Sequence, residues 1–385
     1  MKNNRPKAVN DINEYILFEN KNKEDIYCIG SIEKDRYIEV KEEQKNAIMK
    51  SIKYFDGTND IGEINEKLKK IENIDLNINK LYNLLLEAGL LENEQVDLNK
   101  NEFERYGLKI ASIPLDKLSN LFYFFSKYSR LYLIVLIFAA FFSFPLIPKM
   151  LSRLLYFNIY KTLDSSVLSL ILSLFLTTAS VLVHEFSHAI FSKKYGLNPN
   201  KMEIVLYLYL NPIAYIKTNG IYTLSKRKRI IVWSVGILSN LIIFFISVII
   251  QNYTTGTVSK VFLLLAYTNL GLVVTNFIPF LPLDGYYILT TLFQLTNLRK
   301  KSFGGLKKIF KEETFKKRVI YIVYNFISIV ILCYIIVVPI VQVIYNFYLA
   351  YLRNNNIFEG LNEIWMYLIL AVLMVFSRII DRKRK

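Results

Sequence analysis

Residues 166–190 read SVLSLILSLFLTTASVLVHEFSHAI. A membrane span needs about 20 mostly apolar residues, and this run is long enough. Near its end stands His184-Glu185-Phe186-Ser187-His188, which holds both of the chain's histidines. Positions i and i+4 share one face of a helix, so both imidazoles reach a single ion while Glu185 reaches a water beside it. From Ser165 to Phe191 no other side chain is charged. A charge at membrane depth costs about 2.5 kcal/mol or more and persists mainly where it functions. H-E-x-x-H also arises by chance; the membrane setting and the lack of any competing histidine favour the metal reading.

Hydrophobic residues make up 53% of the 385-residue chain and the mean hydropathy is +0.29, as in a membrane protein. Residues 1–118 carry 19 Lys+Arg and 23 Asp+Glu, a net of −4. Residues 119–385 carry 29 and 9, a net of +20. The positive charge lies in loops between apolar runs, where the positive-inside rule accounts for it; no nucleic-acid partner is expected. Cys28 and Cys333 suggest neither a disulfide framework nor a thiolate zinc site. No apolar stretch follows Met1–Arg5, so no signal peptide is expected there and the first domain stays in the cytosol.

Six apolar runs predict six membrane helices, at roughly 122–147, 166–190, 230–251, 260–281, 319–346 and 364–380. The stretch 193–229 carries eight Lys+Arg, 299–318 nine and the tail from Arg378 five, against one each near 252–260 and 347–363. This alternation predicts a multi-pass protein of the cytoplasmic membrane with both termini cytosolic. His184 and Glu185 then lie toward the cytosolic end of the second span.

Residues 1–118 read as a soluble α+β domain. Strand-like runs at Tyr15–Phe18, Ile26–Ile29 and Tyr37–Val40 precede helical patterns near 42–54, 60–70 and 77–88, the last stopped by Gly89. This order predicts a winged-helix-like domain, followed after a tether at Asn93–Glu104 by a membrane domain over 119–385. Between the second and third spans, Met202–Leu224 is apolar without a helical period, and Asn219-Gly220 signals a β-hairpin. A re-entrant hairpin beside the metal would offer a strand edge to an extended peptide, or would merely plug the site.

A catalytic zinc takes three protein ligands and keeps one position for water. Apart from Glu185, the acid within the apolar runs is Asp284, in Asn276-Phe-Ile-Pro-Phe-Leu-Pro-Leu-Asp284-Gly285. The prolines break the fourth span there, and broken backbone at membrane depth is tolerated where it lines a cavity. Asp284 is thus the candidate third ligand, with a helix cap as the alternative. Glu185 is the candidate general base toward a peptide bond.

H-E-x-x-H together with N-x-x-P-x-x-P-L-D-G, on separate apolar runs, resembles the site-2 protease family of intramembrane zinc metalloproteases. The resemblance covers about residues 165–290. It implies that His184, His188 and Asp284 bind Zn²⁺ and that Glu185 is the general acid/base. Gly236-Ile-Leu-Ser-Asn240 is similar to the family's G-P-x-x-N element, with Ile237 where proline is usual. Tyr286 stands where a second glycine is common. Asn240 and Asn276 are then expected near the site as substrate-positioning groups, or else as interhelical hydrogen-bonding groups. A second resemblance lies in Tyr54-Phe-Asp-Gly-Thr58 and Leu84-Leu-Leu-Glu-Ala-Gly-Leu-Leu91. They are similar to the winged-helix domains that hold the leader of a ribosomally made peptide.

Together these features predict an intramembrane zinc metalloprotease that removes the leader of a ribosomally synthesised modified peptide. The alternatives are a regulatory protease releasing a membrane-anchored factor, and a non-catalytic peptide transporter or immunity protein.

Overall fold

The computed structural model describes residues 5–19, 25–92, 107–304 apart from 156, 160, 161 and 208–210, 315–358 apart from 355, and 361, 372, 375 and 379, with the side chains beyond 334 described only in part. The N-terminal part is a three-stranded antiparallel sheet, β1 (Ile12–Phe18), β2 (Ile26–Ser31) and β3 (Arg36–Lys41), in that order. Helices α1 (Glu42–Ile52), α2 (Ile61–Ile71) and α3 (Ile78–Ala88) follow. Ile29, Ile38 and Val40 of the sheet pack with Ile48, Ile52, Ile64, Leu68, Leu81 and Leu85 in one apolar core. Local signals set the helix ends. Asp60 and Glu63 form a reciprocal capping box at the start of α2. Gly89 closes α3 in the left-handed region, at φ 70°.

A second antiparallel sheet joins the membrane part. Strand β4 (Gly107–Pro114) pairs with β5 (Pro199–Tyr207), and β5 with β6 (Asn211–Thr218), which leaves β6 at an edge. The β5–β6 hairpin lies where an apolar, non-helical stretch is expected, but Asn219-Gly220 is not its turn. The strands reverse between Tyr207 and Asn211, and the pair instead ends β6. Gly220, at φ 85°, leads into a short 3₁₀ turn at Ile221–Thr223. The pair is a joint to the N-terminal domain: the Asn219 side-chain amide donates to the Glu33 carbonyl (2.9 Å), and the Gly220 N–H donates to Asp35 (3.0 Å).

The helices are α4 (Ser119–Lys127), α5 (Ser129–Ser143), α6 (Ile147–Leu155), α7 (Ser166–Lys194), α8 (Lys226–Tyr253), α9 (Gly256–Phe277), α10 (Asp284–Leu292), α11 (Leu298–Phe303) and α12 (Phe315–Asn354). Among the described residues, five helical stretches are long and apolar enough to cross a membrane: Ser129–Leu154, Ser166–Lys194, Lys226–Tyr253, Gly256–Phe277 and Lys317–Tyr334. The sixth expected run, 364–380, falls almost wholly outside the described residues. Large apolar side chains such as Ile137, Phe141 and Phe175 are exposed on these helices, as lipid-facing surfaces require. Polar bonds tie the bundle: Asn269 on α9 donates to Ser180 on α7 (2.9 Å), and Tyr132 on α5 to the Val235 carbonyl on α8 (2.6 Å).

Arg229 belongs to the basic run Lys226–Arg229, yet it is buried rather than facing water. Its guanidinium donates to the Leu17 carbonyl and lies 4.9 Å from the Phe18 ring centre. It thereby fastens α8 to β1. A hydrogen bond from a charged donor is worth about 2 kcal/mol. Arg229→Ala is expected to lower the unfolding temperature in micelles and to speed tryptic release of the N-terminal domain. Unchanged melting and digestion would show that the contact does not hold the domain.

Candidate metal centre

Helix α7 has no Gly or Pro along its 29 residues, and Ser165 caps its start. Its regular turn brings His184 and His188 together with Nε2 atoms 3.2 Å apart. The third group comes from 100 residues further along the chain. Pro279 disfavours helix at Ile278, which sits at φ −68° and ψ 114°, so α9 stops at Phe277. The chain restarts as α10 with Asp284 in its first turn, where a carboxylate suits the helix dipole. Gly285 permits this restart: a Cβ there would collide with the Asn276 and Phe277 carbonyl oxygens.

Asp284 Oδ2 lies 3.0 Å from His184 Nε2 and 3.2 Å from His188 Nε2. With the 3.2 Å between the two imidazoles, three donor atoms form a nearly equilateral triangle. Ligands on a four-coordinate zinc with bonds of about 2.0 Å stand about 3.3 Å apart, so the triangle has the size the ion demands. Glu185 also belongs to the group of potential ligands with His184 and His188. Its Oε1 is 4.0 Å from His184 Nε2, however, and its Oε2 accepts the Ile216 N–H of β6 (2.9 Å). Asp284 closes the triangle better; Glu185 stands beside it.

The outer atoms of the rings are also held. His188 Nδ1 donates to the Val232 carbonyl (2.7 Å), which leaves Nε2 with a bare lone pair in the neutral ring. His184 Nδ1 is 3.0 Å from the Asn240 side-chain amide nitrogen, while the Asn240 Oδ1 is buried without a hydrogen-bond partner. Rotating that amide by half a turn satisfies Oδ1 with an Nδ1–H and frees the Nε2 of His184 as well. Gly236 clears the space, since a Cβ there would strike both imidazoles. The residues present therefore fit zinc.

Both asparagines expected near the site are there, with different surroundings. Asn240 is fully buried against His184. Asn276 lines the cavity beside the triangle and donates to the Leu272 carbonyl of its own helix (3.0 Å). The cavity has a volume of about 400 Å³. Its walls include Ile213–Thr218 of β6 and the stacked rings of Trp233 and Tyr287, 4.6 Å apart. They also include Lys34 and Asp35 from the turn between β2 and β3, and Arg36 at the start of β3. Sequence reasoning missed this last contribution, because nothing in those three residues marks a contact some 150 positions away.

The chain is similar to a protein of Bacillus subtilis (strain 168) named "Putative peptide zinc metalloprotease protein YydH", at 30% identity over 118 residues. The match covers 30% of this chain and 45% of that protein, so it spans less than half the length of that relative. No protein-family model and no solved structure matches the chain. The likeness to a named zinc metalloprotease and the geometry of the triangle point to the same chemistry.

Proposed function

We propose that the chain is a membrane-embedded zinc metallopeptidase of the site-2 type that cuts a ribosomally made peptide, removing its leader. The observation that carries this reading is the triangle of His184, His188 and Asp284 with Glu185 beside it. The three triangle residues would hold Zn²⁺, which when bound supplies Lewis acidity toward a water and a scissile carbonyl. Glu185 takes the proton of the attacking water and returns it to the departing amine. The burial of Glu185 keeps bulk water from competing.

Substrate positioning is assigned to β6. Ile216 turns its N–H outward to Glu185, away from β5, so the outer edge of β6 runs past the proposed base. An extended peptide added to that edge would bring its backbone to Glu185. The N-terminal domain, with its sheet and three helices, would hold the leader. Asn240 acts as a positioning residue through His184. Asn240→Ala is expected to weaken zinc binding about 10–100-fold, the usual effect of removing a ligand's outer partner. Titration with a competing chelator reads this directly, and unchanged affinity would deny Asn240 the role.

The test of the function is mass spectrometry of the peptides and small membrane proteins in cells carrying the native chain or Glu185→Gln. A precursor that accumulates in the variant, with loss of its shortened product, is the expected result. Matching profiles would favour the non-catalytic transporter or immunity reading.

A further inference from the structure

The cavity has two chemically different ends. The inner end carries the buried His184 and Glu185 with the half-buried His188 and Asp284. At the outer end, the charged lining residues are Lys34, which is exposed, and the half-buried Asp35, Arg36 and Lys217. Lys217 directly follows Ile216, whose N–H meets Glu185. Lys34 comes from the N-terminal domain, on a turn that is held at several points. Asp11 accepts from the Ser31 hydroxyl (2.7 Å) and from the Glu33 N–H (3.0 Å). The Ser31 hydroxyl oxygen accepts from the Lys34 N–H (2.9 Å).

Asp35, at φ 51°, is spent on docking: its Oδ1 accepts the Gly220 N–H. Burial pushes its carboxyl above the usual range, against the pull of the Gly220 N–H, Lys217 and Arg36. Glu203, the acid on β5, is fully buried and bound by Lys109 (2.9 Å), Lys201 (2.6 Å) and the Tyr215 hydroxyl (2.8 Å). The outer end thus carries Lys34 and Lys217 next to the edge strand.

We propose that Lys34 and Lys217 select peptides that carry an Asp or Glu side chain within about three residues of the bond to be cut, the reach of an extended chain rising about 3.3 Å per residue from Glu185 past Lys217. The inference rests on the protease reading and names a property of its substrate. It also gives the N-terminal domain a part in substrate choice through this turn.

The test uses the full-length protein in detergent micelles with zinc, and a degenerate synthetic peptide library read by mass spectrometry. Products made by the native chain and absent with Glu185→Gln are counted. Acidic residues within three positions of the new ends are expected to be enriched about fivefold, the size of two partly solvated ion pairs. In the double variant Lys34→Ala, Lys217→Ala the enrichment is expected to fall to about one. In Lys34→Glu, Lys217→Glu it is expected to pass to basic residues. Cleavage without acidic enrichment, or enrichment that survives the double alanine variant, overturns the inference.

A binding arm separates this failure from failure of the protease reading. Fluorescein-labelled Ala/Asp and Ala/Lys peptides are titrated into Glu185→Gln by anisotropy. The Ala/Asp peptide is expected to bind about fivefold more tightly, with the difference shrinking in high salt. If the library stays uncut while this preference depends on Lys34 and Lys217, the protease reading falls and the cationic site stands. If Ala/Asp binds no better than Ala/Lys, or phosphatidylglycerol vesicles rather than the peptide titrate the two lysines, the inference falls.

Discussion

Glu185→Gln is expected to lower peptide hydrolysis by about 10²–10⁴-fold, the contribution of a placed general acid/base, while zinc content stays at one per chain. The substitution separates two jobs done by one carboxylate. Oε2 accepts the Ile216 N–H and so helps to hold β6; Oε1 faces the triangle. A glutamine keeps the shape and its carbonyl oxygen still accepts the Ile216 N–H, but it has no basic oxygen left for a proton. Glu185→Ala removes both jobs and is expected to loosen β6 as well. If Gln retained native turnover and Ala did not, Glu185 would be a strand anchor and the proton would need another acceptor.

Asp284→Asn is expected to weaken zinc binding by more than about 100-fold, beyond the loss caused by removing an outer partner such as Asn240. The argument is geometric and electrostatic. Asp284 Oδ2 completes a triangle with edges of 3.0, 3.2 and 3.2 Å, and it is the carboxylate oxygen nearest both rings. An amide keeps a weaker oxygen donor and loses the negative charge that offsets the cation. Elemental analysis after dialysis against a weak chelator is the measurement. Full zinc retention in Asp284→Asn, with loss in Glu185→Gln, would make Glu185 the third ligand and would also remove it as the base. The two variants therefore assign both carboxylates between them.

The parts that could be read in the sequence were those with local signals. The three N-terminal strands and three helices carry alternation, a capping box at Asp60 and Glu63, and a glycine stop at Gly89. The apolar runs announce membrane helices. His184 and His188 are neighbours by helical period, and Asp284 stands out as an acid beside two prolines. Long-range partnerships left no such trace. Strand β4 meets β5 from far along the chain, Gly107 opposite Tyr207 and Pro114 opposite Lys201. Asn219-Gly220 carries the local chemistry of a hairpin turn, but its donors are claimed by Glu33 and Asp35 from another domain. Arg229 looks like one more loop charge in Lys226–Arg229 until its guanidinium is found against Leu17 and Phe18.

The joint between Gly220 and the β2–β3 turn bears on how this architecture is able to diversify. A domain on a free linker can be exchanged without regard to the rest of the chain. Here Lys34–Arg36 form part of the cavity wall, Asp35 binds the backbone at Gly220, and Tyr37 meets Tyr222 with ring centres 5.8 Å apart. Grafting a foreign N-terminal domain would strip the cleft of one side and leave Arg229 without its carbonyl. The β2–β3 turn and the Asn219–Thr223 segment form one contact, so a change on either side is expected to need its match on the other. A chimera that respects this seam would carry over the turn with its matching segment, and one cut between Glu92 and Gly107, outside the described residues, would not.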